Sequence, residues 1–277
     1  MKKLYKRNED GFILNITVWI SVLLLITALL TSTTARINSS TLKNNSDLLR
    51  SQEVAMGGFE IAKSLIADTD FLNRTLRTED TIKLKISGAN VEIKFEDERG
   101  KIDLNTFPVE IVRNLFTSIG AESGVDAFRA AEIANKLSRI PTSGDTESTE
   151  KIRSVADLQF FSGVTLEFYK AIEPFVTVHG FGRKINPLTA PYTVLEHIPG
   201  ATNTGLQKLV AARLSGKPRP SLDAAEIWLT SLSGPVYKII IKVELQNKIS
   251  DTLTALVVVN ERNLGVSADA IKIIEIQ

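Results

Sequence analysis

The longest run of apolar residues lies close to the N-terminus. Residues 11–35 contain no charged side chain, and Ile, Leu and Val dominate residues 12–30. A helix over residues 12–34 would be roughly 35 Å long, enough to cross a hydrocarbon core of about 30 Å. A buried helix of a soluble protein is the alternative, but such a helix usually has a polar face, which this run lacks. The pattern therefore predicts one membrane-spanning helix.

The helical pattern continues beyond the apolar run. Residues 36–67 contain no Pro, and their apolar positions have a loosely helical spacing. The sequence predicts one long helix that ends near residue 67. Gly57 and Gly58 mark either a bend in this helix or a close contact with an element that packs across it.

Two regions show the alternation typical of strands. Apolar side chains alternate with Lys and Ser over residues 82–87 and with Glu and Lys over residues 91–96, which predicts a hairpin with its turn at residues 88–90. Three further strands are expected at residues 236–245, 252–260 and 270–276. All five should form one antiparallel sheet.

The residues between these two regions predict helices punctuated by Pro and Gly. Pro108 and Pro191 each occupy a position where a helix tolerates Pro in its first turn, with Thr106 and Thr189 as candidate caps. The expected helices cover residues 108–119, 125–137, 154–161, 165–172, 191–197, 204–213 and 221–232. This gives an all-α insertion of roughly 130 residues, an ordinary domain size.

The insertion repeats itself. Residues 102–108 (IDLNTFP) match residues 185–191 (INPLTAP) at a constant offset, and the second copy runs into LEHIPG, which resembles a helix-hairpin-helix turn. Residues 158–164 (LQFFSGV) repeat that shape. Such turns can bind nucleic acid through backbone N–H groups, but this use needs flanking cations, and the neighbours here are neutral or acidic. We expect these turns to join packed helices, without a nucleic-acid partner.

Composition and charge narrow the function further. With 33 basic and 32 acidic residues the net charge is +1, so no overall field favours nucleic acid. The chain has no Cys, which excludes disulfides and thiolate sites. Four basic residues precede the apolar run, which favours an N-terminus in the cytoplasm and the bulk of the chain outside, in the periplasm of a bacterium.

Candidates for catalysis are few. His179 and His197 lack the neighbours of a zinc motif, and no nucleotide loop or nucleophile elbow is present, so we expect no enzyme activity. In the polar loop 141–151, Asp145, Glu147 and Glu150 are spaced to share a calcium ion, although a solvated loop explains them equally well. No other cofactor is expected.

The junction before the apolar run carries a resemblance. A Gly (Gly11) directly before the run, followed by Phe12, resembles the leader of type IV prepilins and type II secretion pseudopilins. In that family a prepilin peptidase cuts after the Gly and methylates the new N-terminus, which implies cleavage between Gly11 and Phe12 and N-methylation of Phe12. Most pilins have Glu at the position of Ile16. A carboxylate in a bilayer is expensive unless it is paired, so a subunit with nothing stacked beyond it has no need of one.

The remaining segments narrow the resemblance to the minor pseudopilin K family of type II secretion systems. The segments that resemble it are EDERGKIDLNT, SGVTLEFYKAIEPFVTVHG and KINPLTAPYTVLEHIPG, with Leu188 after Pro187 where the family repeat has Asn. We expect that departure to change how the turn is hydrogen-bonded. The resemblance implies an α+β fold, in which a pilin-like antiparallel sheet packs on the long N-terminal helix and is interrupted by a helix-hairpin-helix (SAM-like) insertion.

The resemblance also implies a domain plan and partners. The plan is a leader over 1–11, an assembly helix over 12–67, a pilin-like β-domain over 68–103 and 233–277, and the insertion over 104–232. The implied role is a non-enzymatic subunit at the pseudopilus tip, in the inner membrane, that helps to initiate assembly. Its partners would be the I and J minor pseudopilins and the major pseudopilin.

Two other interpretations remain open from the sequence. One is a single-span membrane protein whose outer domain binds a partner and never polymerises. The other is DNA binding, which would show itself as a strongly salt-dependent affinity.

Overall fold

The computed structural model describes residues 9–138, 152–180, 182–245, 248–260 and 270–276. The chain divides into two compact units, Met1–Glu53 and Val54–Gln277. The helices are α1 (Glu9–Ile66), α2 (Thr69–Thr78), α3 (Val109–Glu122), α4 (Ala127–Ser138), α5 (Leu166–Ile172), α6 (Tyr192–Glu196) and α7 (Asn203–Ser215). The strands are β1 (Ile82–Ile86), β2 (Ala89–Asp97), β3 (Ile102–Asp103), β4 (Val176–Thr177), β5 (Val236–Leu245), β6 (Lys248–Val259) and β7 (Ile271–Ile276).

The first unit consists of the N-terminal part of α1. Its side chains are exposed from Leu14 to Ser46, including the whole described apolar run. The hydroxyls of Thr17, Thr27 and Thr31 donate to carbonyls three or four residues earlier, so these polar groups are satisfied inside the helix. Among the described residues, α1 is the helix long and apolar enough to cross a membrane. This fits the predicted single-pass anchor.

The second unit contains a five-stranded antiparallel sheet in the order β1-β2-β5-β6-β7. Strands β2 and β5 are neighbours in this sheet although the chain between them forms the helical part of the protein. One face of the sheet packs on the last turns of α1 and on α2. This sheet core includes Phe59, Leu72, Ile93 and Ile241. The predicted α+β architecture is confirmed.

The two glycines of α1 lie where the helix crosses the sheet. A Cβ on Gly58 would lie 3.1 Å from Ile241 Cγ2 and 3.2 Å from Val91 Cγ1, whereas one on Gly57 would have only Ile86 Cγ2 within 4 Å, at 3.9 Å. The helix continues without interruption through both residues. Of the two interpretations of this Gly pair, the close contact with a packed element is correct, and Gly58 is the residue that makes the contact.

The helical part has its own core, which packs α3 against α4 and α5. Phe116 and Phe168 meet edge to face in it, with ring centroids 5.7 Å apart. Strands β3 and β4 form a short parallel pair, and Ile102 of β3 belongs to this helical core. The domain boundaries given by the sequence stay predictions.

Three local predictions were wrong. The β1–β2 turn is Ser87-Gly88, because Ile86 pairs with Ala89 and both turn residues have positive φ, as a two-residue hairpin requires. Residues 221–232 do not form one helix. A 3-10 helix covers only Asp223–Trp228, because Leu229 is extended and pairs in parallel with Ile185.

The third wrong prediction is that Thr106 and Thr189 cap the helices that follow them. Thr106 and Thr189 make no capping bond, and α3 and α6 begin after Pro108 and Pro191 without a side-chain cap. The Thr106 hydroxyl donates to the Gly182 carbonyl instead. In addition, sequence patterns missed α2, whose N-terminus is capped by Asp68, accepting from the Phe71 N–H at 3.0 Å.

Candidate functional site

The predicted leader junction lies inside the first turns of α1. Gly11 and Phe12 belong to a continuous helical backbone that starts at Glu9. Ile16, at the position where most pilins have Glu, is 43% exposed. Cleavage after Gly11 and methylation of Phe12 stay predictions.

The predicted calcium site in the polar loop stays a prediction. Asp145, Glu147 and Glu150 lie outside the described residues. Across the described part of the chain, no group of three or more His, Asp or Glu side chains is arranged to hold a metal ion. The ring Nδ1 of His197 lies 2.7 Å from the Thr193 carbonyl oxygen, a contact within its own helix.

The repeat predicted from the sequence is real at the level of individual hydrogen bonds. The Asp103 carboxylate accepts from the Asn105 N–H at 2.8 Å, and the Asn186 side chain accepts from the Leu188 N–H at 3.0 Å. The backbone carbonyls of Asp103 and Asn186 each accept from the N–H groups three and four residues later. Leu188 therefore does not change how its turn is bonded, because that turn uses only its backbone N–H.

What Leu188 does change is a contact outside the turn. Its counterpart Asn105 uses both ends of its amide on Ile152, donating to the carbonyl at 3.0 Å and accepting from the N–H at 3.2 Å. Leucine has neither group and is buried in the helical core instead. The two copies thus share the turn and differ in the contact that follows it: Asn105 is hydrogen-bonded to Ile152, and Leu188 packs in the helical core.

The helix-hairpin-helix shape also repeats as predicted. Thr165 and Thr202 cap α5 and α7 by accepting from N–H groups three residues later, each at 3.2 Å. The turn before α7 is covered, because a Cβ on Gly200 would lie 2.8 Å from Ala224. This turn joins packed helices at that point.

A buried carboxylate, Asp97, lies at the junction of the sheet and the helical part. Its Oδ1 accepts from the Arg99 N–H and the Gly234 N–H, each at 3.0 Å. Its Oδ2 accepts from Asn186 Nδ2 at 3.2 Å and from the Thr189 hydroxyl at 2.9 Å. Burial raises the pKa of Asp97, and the four donors offset this only in part.

A buried cation lies beside it. Lys101 Nζ is 2.7 Å from Glu98 Oε1 and 3.1 Å from Glu96 Oε2, and its side chain is only 5% exposed. Burial by itself raises the pKa of Glu96, but Lys101 and Lys94 outweigh it and lower that pKa to about 2. Burial lowers the pKa of Lys101, and the two carboxylates outweigh it, so its pKa is raised.

A further buried charge, Arg213, lies on α7. Arg213 donates through Nε to the Pro187 carbonyl at 2.9 Å and through Nη2 to the Ala190 carbonyl at 2.6 Å. Burial lowers the pKa of Arg213. Its donors hold the second repeat turn against α7.

A small polar cavity of about 90 Å³ opens between the outer face of the sheet and α5. Tyr169, Glu173 and His179 line it from the helical part and Lys238 from β5. Lys238 and Glu173 form an ion pair across it. The cavity is thus part of the contact between the sheet and the helical part, and the charges of Lys238 and Glu173 neutralise each other there.

Comparison with known proteins identifies a solved structure with a similar fold. No protein-family model matches the chain, and no curated protein matches it. A solved structure does: the crystal structure of the GspK-GspI-GspJ complex from the type 2 secretion system of enterotoxigenic Escherichia coli. The match covers 83% of this chain and 97% of that chain, with a TM-score of 0.53 and 15% identity. This chain has the fold of a type 2 secretion component. The resemblance to the pseudopilin K family is confirmed at the level of the fold.

Sequence patterns missed the residues at the junction. Asp97 and Lys101 occur in a charged run, which usually indicates solvated surface, whereas Arg213 is a single cation between Ala212 and Leu214. One signal was available for Asp97 and Lys101: the run EDERGK begins in the last two residues of β2 and directly precedes the first repeat. In the structure this run lies between the strand β2 of the sheet core and Ile102 of the helical core.

Proposed function

We propose that the chain is a K-type minor pseudopilin at the tip of a type II secretion pseudopilus, where it helps to initiate assembly and so promotes protein secretion across the outer membrane. The observation that carries this proposal is the architecture itself. One long helix, α1, carries the apolar run, and its last turns pack on the sheet. A helical part is inserted between the adjacent strands β2 and β5. The GspK-GspI-GspJ complex contains a chain with the same fold.

The N-terminal segment suits a subunit that starts in the inner membrane. With residues 11–35 free of charge, the helix that remains after cleavage at Gly11 can stay in the bilayer or pack among similar helices. The basic residues ahead of it would hold the leader in the cytoplasm, where a prepilin peptidase acts, and leave the second unit in the periplasm. Ile16 suits a subunit that has no neighbour beyond it, since no carboxylate there needs a partner.

The proposed partners are the I and J minor pseudopilins, with the major pseudopilin below them. GspI and GspJ accompany GspK in the complex that contains a chain with the fold described above. The exposed apolar side chains of α1, such as Leu23 and Leu30, would contact the corresponding helices of these partners. The role is structural and needs no catalytic residue.

Cross-linking through α1 tests the proposal. Because the chain has no Cys, a single Leu23→Cys or Leu30→Cys substitution creates a unique attachment point. The variants are produced in the bacterium that encodes the chain, together with single-Cys variants of its I, J and major pseudopilins, and oxidised in intact membranes. A Lys85→Cys variant, on the exposed edge of the sheet, is the matched control.

The proposal predicts heterotypic cross-links from α1 to the I or J subunit and none from the chain to itself. A homotypic disulfide-linked dimer of the chain would contradict the tip position, because a tip holds one copy. The absence of any cross-link to a pseudopilin, in cells that secrete normally, would favour the single-span protein that never polymerises.

A further inference from the structure

We infer that Asp97 is a positioning residue that fixes the helical part on the sheet. The chain leaves the sheet after β2, which ends at Asp97, and returns to it through Gly234, shortly before β5. Oδ1 of Asp97 binds both passages, through the Arg99 N–H and the Gly234 N–H. One oxygen atom therefore holds the exit and the return of the inserted helical part together.

The second oxygen connects these passages to the interior of the helical part. Oδ2 accepts from the side chains of Asn186 and Thr189, which belong to the second repeat turn. Their neighbours Ile185 and Ala190 are fully buried in the helical core, so this turn has no freedom of its own. The carboxylate thus joins a rigid part of the helical core to the end of the sheet.

A short chain of hydrogen bonds extends the connection to the helices that cover the sheet. Asn186 Nδ2 also donates to the Ser233 hydroxyl at 3.0 Å, and that hydroxyl donates to Asn73 Oδ1 at 3.0 Å. Asn73 lies on α2, whose Leu72 and Leu76 belong to the sheet core. The network therefore runs from the helical part to the sheet through Asp97, and from the same Asn186 to α2 through Ser233.

Each core is complete without this carboxylate. The sheet core and the helical core are separate clusters of apolar side chains. Removing its bonds should therefore release the orientation of the helical part while both cores stay packed. Neither the proposed tip position nor the proposed partners requires this, so the inference stands or falls independently of them.

The two oxygens allow a selective test. In Asp97→Asn, the amide oxygen can still accept from the Arg99 and Gly234 N–H groups, but the amide nitrogen faces the Asn186 donor and cannot accept from it. Exchanging the two residues, Asp97→Asn with Asn186→Asp, places a donor opposite an acceptor again. Thr189→Val removes the hydroxyl that donates to Asp97 at 2.9 Å and lies 3.4 Å from the Asn186 carbonyl oxygen, and it serves as a mild variant.

The measurement uses the full chain in detergent micelles, with spin labels on Lys85→Cys in β1 and Glu110→Cys in α3, both exposed. The distance distribution between the labels is measured by electron spin resonance. Hydrogen exchange is recorded in parallel, with the Gly234 amide as the junction probe and the Ile133 and Ile241 amides as core probes. Asp103→Asn, the same change inside the helical part, is the matched control.

We expect a narrow distribution in the native chain and in Asp103→Asn, and a broadened one in Asp97→Asn, with a smaller broadening in Thr189→Val. Because the Gly234 N–H then donates to a neutral amide oxygen instead of a charged carboxylate, its exchange should accelerate about tenfold while exchange in both cores is unchanged. The exchanged pair should restore the narrow distribution. An unchanged distribution in Asp97→Asn would overturn the inference, and so would loss of protection throughout both cores, because Asp97 would then serve folding and not orientation.

Discussion

The adjacent glycines of α1 provide a sharp test of how the helix packs on the sheet. The perturbation is a pair of single substitutions, Gly57→Ala and Gly58→Ala. Alanine is favoured over glycine in a helix interior by about 1 kcal/mol, and this gain applies equally to both positions. Any difference between the two variants must therefore come from the space around the added methyl group.

The structure gives that difference its sign and size. At Gly57 the nearest side-chain atom is 3.9 Å from the new Cβ, an ordinary contact, so this variant should be more stable by about 0.5–1 kcal/mol. At Gly58 the new Cβ would lie 3.1 and 3.2 Å from methyl groups of Ile241 and Val91. Both residues are fully buried and β-branched, so they have little rotamer freedom with which to move. Overpacking of this kind costs about 1–3 kcal/mol, and the two variants should differ by that amount.

The assay is hydrogen exchange of the β2 and β5 amides in the full chain in detergent micelles, as a function of urea. The free energy of opening of these strands is obtained for the native chain and for each variant under identical conditions. Equal effects at the two positions, or a more stable Gly58→Ala variant, would refute the close contact and favour a bend in the helix at this pair.

Two further predictions concern charge. Lys101→Ala should lower the unfolding free energy by about 3–5 kcal/mol because it leaves Glu98 and Glu96 without their buried counter-ion, and a urea titration measures this. Adding Glu98→Gln and Glu96→Gln should recover most of the loss, and a single-variant cost below about 1 kcal/mol would show that Lys101 is not this counter-ion. Two hydrogen bonds from the Arg219 guanidinium lower the pKa of Glu226 from 4.5 to about 2. The contribution of the Glu226 carboxylate to stability is therefore present above pH 4.5 and is lost as the pH falls towards 2. The difference in unfolding free energy between the native chain and Glu226→Gln should shrink over that range, and a difference that is constant with pH would contradict this assignment.

The parts of the fold that the sequence predicted are those where one local signal dominates. An uncharged apolar run specifies α1, and alternation specifies β1, β2 and β5, because side chains of a half-buried strand must point to opposite faces in turn. The repeat at residues 102–108 and 185–191 was also visible, because its turn depends on Asp103 and Asn186 bonding to their own neighbours. Such short-range bonds leave a trace in the sequence.

The parts that could not be predicted depend on distant residues. Helix α2 has few apolar positions and is held by its contact with the sheet. The helix expected at residues 221–232 stops at Trp228 because Leu229 pairs with Ile185, far away in the chain. Asp97 likewise has its donors in three separate segments, so no spacing pattern could mark it.

The first residue of the mature chain distinguishes a pseudopilin from an ordinary membrane protein more directly than any other observable. It is measured by mass spectrometry of the N-terminal peptide, on the chain isolated from inner membranes of cells with an active prepilin peptidase, beside a Gly11→Leu variant. We predict that residues 1–11 are absent and that the chain starts with N-methylated Phe12, whereas the variant keeps its leader. An intact Met1 in the native chain, or normal processing of the Gly11→Leu variant, would contradict the pseudopilin function.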